Sequence, residues 1–192
     1  MKTFQFKITL VYTDKPVVWR RVLVPDEITF ADLHEVIQEA FGWEHSHLYQ
    51  FSEKGWGSKP CYQSLDEYDG DGADIKDSND TLINEVLQRA RQKYTYIYDF
   101  GDDWKHEILL EKILDKPVLI PLCTDGEGAC PPEDCGGVPG YYNMVDVVNN
   151  SENEEHEDTR EWMGIADGEK WDVSAFDLEA ANARCTALAS DE

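Results

Sequence analysis

No apolar run in this 192-residue chain is long enough to cross a bilayer as a helix. Met1-Lys2-Thr3-Phe4 opens no signal-peptide pattern either. Both absences point away from a membrane role and toward a soluble cytoplasmic protein. Positive charge is scarce. Seventeen Lys and Arg face 40 Asp and Glu, a formal charge of −23, and a chain this acidic repels phosphate backbones. An even cysteine complement is missing: there are five, with no export signal, so a disulfide framework is not expected. Gly136-Gly137 lacks the Lys-Ser/Thr that would make a P-loop. No Ser–His–Asp or Cys–His arrangement follows from spacing, and no basic DNA-binding helix is present.

Aromatic residues, by contrast, are plentiful. With 6 Trp, 9 Tyr, 7 Phe and 41% hydrophobic residues, the chain can build a core. Tyr94, Tyr96, Tyr98 and Phe100 alternate with Thr95, Ile97 and Asp99, the period of a strand. Gly101-Asp102-Asp103 supplies turn chemistry, and Trp104, His106, Ile108 and Leu110 alternate again. A three-residue loop would set Phe100 opposite Trp104, Tyr98 opposite His106 and Tyr96 opposite Ile108.

The rest of the chain fills in an α+β pattern. Phe4–Leu10 and Val17–Val24 read as a first hairpin across Asp14-Lys15-Pro16. Thr29 caps a helix over 30–41, with Asp32 in the capping-box position, and Gly42 stops it. His34 falls at the edge of its packed face. His47–Phe51 reads as a third strand, along which His45 and His47 would share a side and could share a metal. Residues 53–80 form a long acidic loop. Within it, Glu67 to Gly72 imitates a calcium loop, but the twelfth position is Ser78, so a solvated loop is the better reading. Thr81–Arg91 has helical spacing, and 112–122 reads as an edge strand or tether. Tyr141–Val148 and Asp177–Leu188 read as helices. The expectation is a single α+β domain over 1–192, antiparallel hairpins with helices on one face, ending in a helical part over about 141–192.

Five glycines and three prolines fall within Cys123–Tyr142, which excludes a regular helix or central strand there. Together with Val18-Trp19-Arg20-Arg21-Val22, Phe41-Gly42-Trp43, His47-Leu48 and Tyr98-Asp99-Phe100-Gly101-Asp102, the segment Cys130-Pro131-Pro132-Glu133-Asp134-Cys135-Gly136-Gly137 resembles the plasmid pRiA4b ORF-3-like family over about residues 3–185. That resemblance implies a compact α+β domain and an association with plasmids and transposons. It implies no particular reaction.

Three functions fit this pattern. The first is a non-enzymatic binding or adaptor module for a protein or peptide, with Arg20, Arg21, Trp104 and Tyr141 as contacts. The second is a metal-dependent hydrolase, in which Asp99, Asp102, Asp103 and His106 hold the ion and Glu133 or Asp134 is the base. The third is a mobile-element-associated nucleic-acid role through Lys2, Lys7, Arg20 and Arg21. Cys123, Cys130, Cys135 and His106 are candidate zinc ligands; the cysteines read equally as small residues packed in turns. The hairpin tip and the cysteine loop are expected on one rim, above a floor of Phe100 and Trp104, with Cys130 near Cys135 and His106 within reach of the loop.

Overall fold

The structure, a computed structural model, describes residues 1–65, 74–166 and 168–190. The calcium-loop candidate at 67–72 lies outside them.

Alternating apolar residues build the first two strands, β1 (Thr3–Leu10) and β2 (Trp19–Pro25). Thr29 then caps α1 (Phe30–Phe41): its side chain accepts from the Asp32 N–H, and the Asp32 carboxylate accepts from the Thr29 N–H. Gly42, at φ 97°, ends the helix in the left-handed conformation that glycine tolerates. Short strands β3 (Tyr49–Ser52), β4 (Cys61–Gln63) and β5 (Ile75–Asp77) follow. After α2 (Ile83–Val86), β6 (Lys93–Tyr98) and β7 (Trp104–Leu114) form the aromatic hairpin. β8 (Leu122–Glu127), α3 (Gly137–Val148), α4 (His156–Trp162) and α5 (Leu178–Ala187) complete the chain.

The strands form one sheet in the order β5-β4-β3-β6-β7-β1-β2-β8, antiparallel except for β4 with β5. This is the α+β architecture that the sequence pattern implies. Phe6, Ile8 and Leu10 of β1 are fully buried, as are Phe30, Leu33 and Ile37 of α1. The last helix, α5, closes on α1 through Arg184 Nε to the Glu39 carbonyl (2.9 Å). It meets β8 through the Cys123 N–H to Asn182 Oδ1 (3.1 Å). No helix among the described residues is long and apolar enough to cross a membrane.

Three local expectations are corrected. The aromatic hairpin turns through five residues, not three, so Tyr98 pairs with Trp104, Tyr96 with His106 and Tyr94 with Ile108. The two-residue shift preserves the pleat, and every ring stays on its expected face except Phe100, which leaves the ladder. The cause is at the turn. Asp99 and Asp103 adopt φ 53° and 54°, Asp103 N–H bonds the Asp99 carbonyl (2.8 Å), and Asp99 Oδ1 accepts from the Gly101 N–H (2.9 Å). The helix read over 81–91 lasts only from Ile83 to Val86. Gln92 Nε2 takes the Val86 carbonyl (2.9 Å), and the Arg91 N–H joins Leu110 of β7 (2.7 Å), so sheet pairing wins over helical spacing. Finally, α3 begins at Gly137, four residues before the expected Tyr141 and inside the segment read as excluding a regular helix; β8, an edge strand on β2, agrees with the exclusion of a central strand.

Candidate metal site

The pairing of β3 with β6 sets Tyr49 opposite Tyr98, and just beyond the ladder the Asp99 N–H donates to the Leu48 carbonyl (2.9 Å). His47 is thereby delivered to the hairpin tip. The cysteine loop arrives from the other side. Gly136 N–H donates to Asp102 Oδ2 (2.9 Å), and Gly137 lies so close that a Cβ there would be 2.4 Å from the Asp102 carbonyl. Hairpin tip and loop therefore share one rim.

The centre of that rim is His47 Nε2. It lies 3.2 Å from Asp134 Oδ1, 3.8 Å from Asp99 Oδ2 and 3.8 Å from Glu133 Oε2. His47, Asp99 and Asp134 each offer a ligand atom within 4.8 Å of the other two. Glu133 is anchored through its other oxygen, Oε1, which accepts from the Glu44 N–H and the Tyr98 hydroxyl, both at 2.9 Å. Burial, then the bond to Glu133, pushes the Tyr98 phenol up, so it stays a neutral donor. His47 Nε2 and Glu133 Oε2 are buried atoms without a hydrogen-bond partner, an arrangement that normally costs free energy. The backbone is strained here too: Asp99, Asp103, Asp134 and His45 all have φ between 53° and 56°.

The remaining candidates go elsewhere. Asp102 holds the Gly136 N–H, and Asp103 Oδ1 accepts from Trp56 Nε1 (2.7 Å). His106 is fully buried among Phe41, Trp43 and Tyr96. It does not reach the loop; Trp43 does, donating from Nε1 to the Pro131 carbonyl (3.0 Å). Trp104 is buried beneath the tip, whereas Phe100 packs outward on Trp56. Among the described residues, no three of Cys123, Cys130, Cys135 and His106 come within ligating range of one another. Burial pushes the thiol of Cys135 up to about 12 and that of Cys130 higher still. Such thiols are packed residues rather than ready ligands. Cys123 is a buried free thiol whose Sγ lies 3.9 Å from the Asp125 carbonyl oxygen.

The expected binding contacts are corrected as well. Arg20, Trp104 and Tyr141 are buried and cannot touch a partner, and Arg21 is tied to Glu111 (2.8 Å) and Asp125 (2.5 Å). His45 and His47 do not share a strand face. His45 sits in the left-handed region and turns to Glu35 and Glu39, at 3.1 and 3.2 Å. The sequence offered His47 as a metal ligand only alongside His45, because its carboxylate partners are some fifty and ninety residues away; the β3–β6 register brings them together.

The architecture has relatives. A model of the plasmid pRiA4b ORF-3-like protein family matches residues 2–180. The chain belongs to that family. A relative from Sinorhizobium fredii (strain NBRC 101917 / NGR234), the uncharacterized protein y4hQ, is 36% identical over 179 residues, covering 93% of this chain and 85% of the relative. The crystal structure of MM3350, a protein of unknown function from Methanosarcina mazei Go1, matches with a TM-score of 0.76 at 34% identity, covering 93% of this chain and 96% of that one.

Two histidines of this ORF-3-like fold set a pH response. Burial lowers the His106 imidazole to about 3, against the opposing pull of the Trp104 and Tyr96 backbone. Burial likewise lowers His34, stacked on Tyr49 at 3.7 Å, to about 3. Unfolded, each titrates near 6.5. Between 6.5 and 3 the unfolded chain therefore binds more protons, and stability falls with falling pH by up to about 1.4 kcal/mol per unit per histidine. His45, raised by its bond to Glu35, opposes part of this. Urea midpoints measured between pH 7 and pH 4 should fall more steeply for the native chain than for His106→Phe. Equal slopes would remove His106 from the account.

Proposed function

We propose that this chain binds a divalent transition metal through His47, Asp99 and Asp134, with Glu133 as proton acceptor for a metal-bound water, and that it is a metal-dependent hydrolase. The observation that carries the reading is the buried, unpartnered His47 Nε2 facing carboxylate oxygens at 3.2, 3.8 and 3.8 Å. Ligand atoms each about 2.1 Å from a tetrahedral ion lie about 3.4 Å apart, within that spread. One imidazole with two carboxylates leaves a fourth position for water, and a metal-bound water is acidified enough to serve as a nucleophile near neutral pH. Glu133 suits the acceptor role. One of its oxygens is fixed by Glu44 and Tyr98, and the other is free and faces the same point.

A second reading, a cytoplasmic adaptor for a protein or peptide, is favoured by one feature. Trp56 stands 52% exposed at the hairpin tip, against Phe100, and exposed aromatics are frequent anchors in interfaces.

Zinc and manganese titrations of the purified chain, with elemental analysis, test the first reading. One equivalent should bind. Asp134→Asn should weaken it by about 100-fold or more without a change in thermal midpoint, because Asp134 is exposed. Loaded protein should then turn over members of an ester and phosphoester panel, and Glu133→Gln should abolish turnover while retaining metal. Metal affinity unchanged in both Asp134→Asn and His47→Ala would end the proposal. Metal binding without turnover, together with a peptide ligand lost in Trp56→Ala, would favour the adaptor.

A further inference from the structure

The far end of β6 carries a feature that the metal reading does not use. A cavity of about 680 Å³ opens between the end of β3, the start of β4 and the turn from α2 into β6. β6 begins at this cavity with Lys93 and ends at the hairpin tip, and a strand rises roughly 3.3 Å per residue, so the two places stand about 20 Å apart.

The cavity wall is basic. Lys54, Arg89, Arg91 and Lys93 line it, four of the 17 cationic side chains in a chain of charge −23. Among the described residues, its one lining carboxylate is Glu53. Lys93 also pairs with Glu107 on β7 (2.8 Å). No carboxylate of the described residues forms an ion pair with Lys54, Arg89 or Arg91. The turn that presents the two arginines is fixed at several points. Arg91 N–H bonds the Leu110 carbonyl (2.7 Å), Leu110 N–H the Gln92 carbonyl (3.0 Å), and Gln88 N–H the Gln92 Oε1 (3.1 Å). Arg91 itself is held at φ 72°, a conformation that costs an arginine free energy and that glycine would adopt without penalty. At the floor are the buried rings of Tyr62 and Tyr94, with centroids 6.4 Å apart.

We propose that this cavity is a binding site for a small phosphate-bearing anion, with Arg89 and Arg91 as guanidinium forks and Lys54 and Lys93 as flanking charges. Guanidinium groups match phosphate oxygens in paired hydrogen bonds, and a fixed turn reduces the entropy lost on binding. The same numbers favour a small ligand over a polynucleotide. A short anion meets only the local positive wall, whereas a long one must also lie against a surface that is acidic elsewhere.

Inorganic pyrophosphate, titrated calorimetrically into the full chain at low salt with a chelator present to exclude metal-mediated contacts, tests the site. One equivalent should bind, more weakly as salt is raised. Arg89→Ala and Arg91→Gly should each weaken binding by about tenfold. Arg91→Gly should keep or raise the thermal midpoint, because it relieves the backbone, so its loss of binding is separated from loss of fold. Three results would overturn the proposal: no binding up to about 1 mM pyrophosphate, unchanged affinity in the double variant, or a single-stranded oligonucleotide binding more tightly than pyrophosphate at the same salt.

Discussion

Arg20→Ala is expected to cost about 4–6 kcal/mol, enough to bring a domain of ordinary stability close to unfolding. Arg20 is 2% exposed and forms no ion pair with a carboxylate among the described residues. Its guanidinium instead donates to four carbonyls. Nε reaches Ala40 at the end of α1 (3.0 Å); Nη1 reaches Trp19 (2.8 Å) and Glu127 (2.9 Å); Nη2 reaches Gly128 (3.0 Å). It also lies over the rings of Phe176 at 4.1 Å and Phe41 at 5.0 Å. One side chain thus fastens β2, α1, the end of β8 and the segment before α5. Alanine would leave those carbonyls without donors in a dry site, each costing about 1–3 kcal/mol and not additively, and would open a cavity beneath two aromatic rings. Arg20→Lys keeps the charge but cannot reach four acceptors in one plane, so it should fall between, at roughly half the loss. The urea midpoint reads both. A loss below about 2 kcal/mol for alanine would mean that water replaces the fork and that Arg20 is no clasp.

Arg20 also shows where the sequence was legible and misread. Along β2 the alternation puts Val18, Arg20, Val22 and Val24 on one face, and all four are buried. The period was visible. A charge was read as surface because arginine is rarely buried, although its phase placed it inside. The opposite misreading took Phe100 for floor, because a three-residue turn was expected where two aspartates in left-handed conformations make a five-residue one. The pleat survived that error, since a shift by two returns each side chain to its own face. Local signals served well where they were sufficient: Thr29, Asp32 and Gly42 bound α1 at both ends. They failed over 87–92, where helical spacing lost to the Leu110 ladder.

The candidate site was half legible for a similar reason. Asp99, Glu133 and Asp134 stand in motifs dense in turn residues, so they draw attention from sequence alone. His47 reads as a ligand partner of His45, outside those turn-rich motifs, and only the β3–β6 register carries it to the carboxylates. His106 drew attention because it lies near acidic residues in sequence, but its even phase with Trp104 and Ile108 turns it into the core.

Gly140→Ala is expected to damage both fold and site, against its helix propensity. Gly140 lies in the first turn of α3, where alanine normally stabilises by about 1 kcal/mol. Here an added Cβ would stand 1.9 Å from the Cys135 carbonyl oxygen and 2.8 Å from its carbon. Neither is the movable tip of a side chain, so the backbone of the cysteine loop must shift. We expect a loss of about 3–5 kcal/mol, in the range of severe overpacking. The loop so displaced carries Asp134 and Glu133 immediately before Cys135, so metal affinity should fall with stability. Restoring the fold at low temperature should not restore the affinity. Gly164→Ala is the comparison: at φ 66° it is strained, but it has nothing within 4 Å, and should cost only about 1 kcal/mol with metal binding intact. If Gly140→Ala lowers the thermal midpoint yet binds zinc as the native chain does, the loop's position does not set the His47 site and its carboxylates are not ligands. If it lowers neither, the close approach of α3 to Cys135 is absorbed by a small rotation of the first turn, and the glycine serves no packing purpose there.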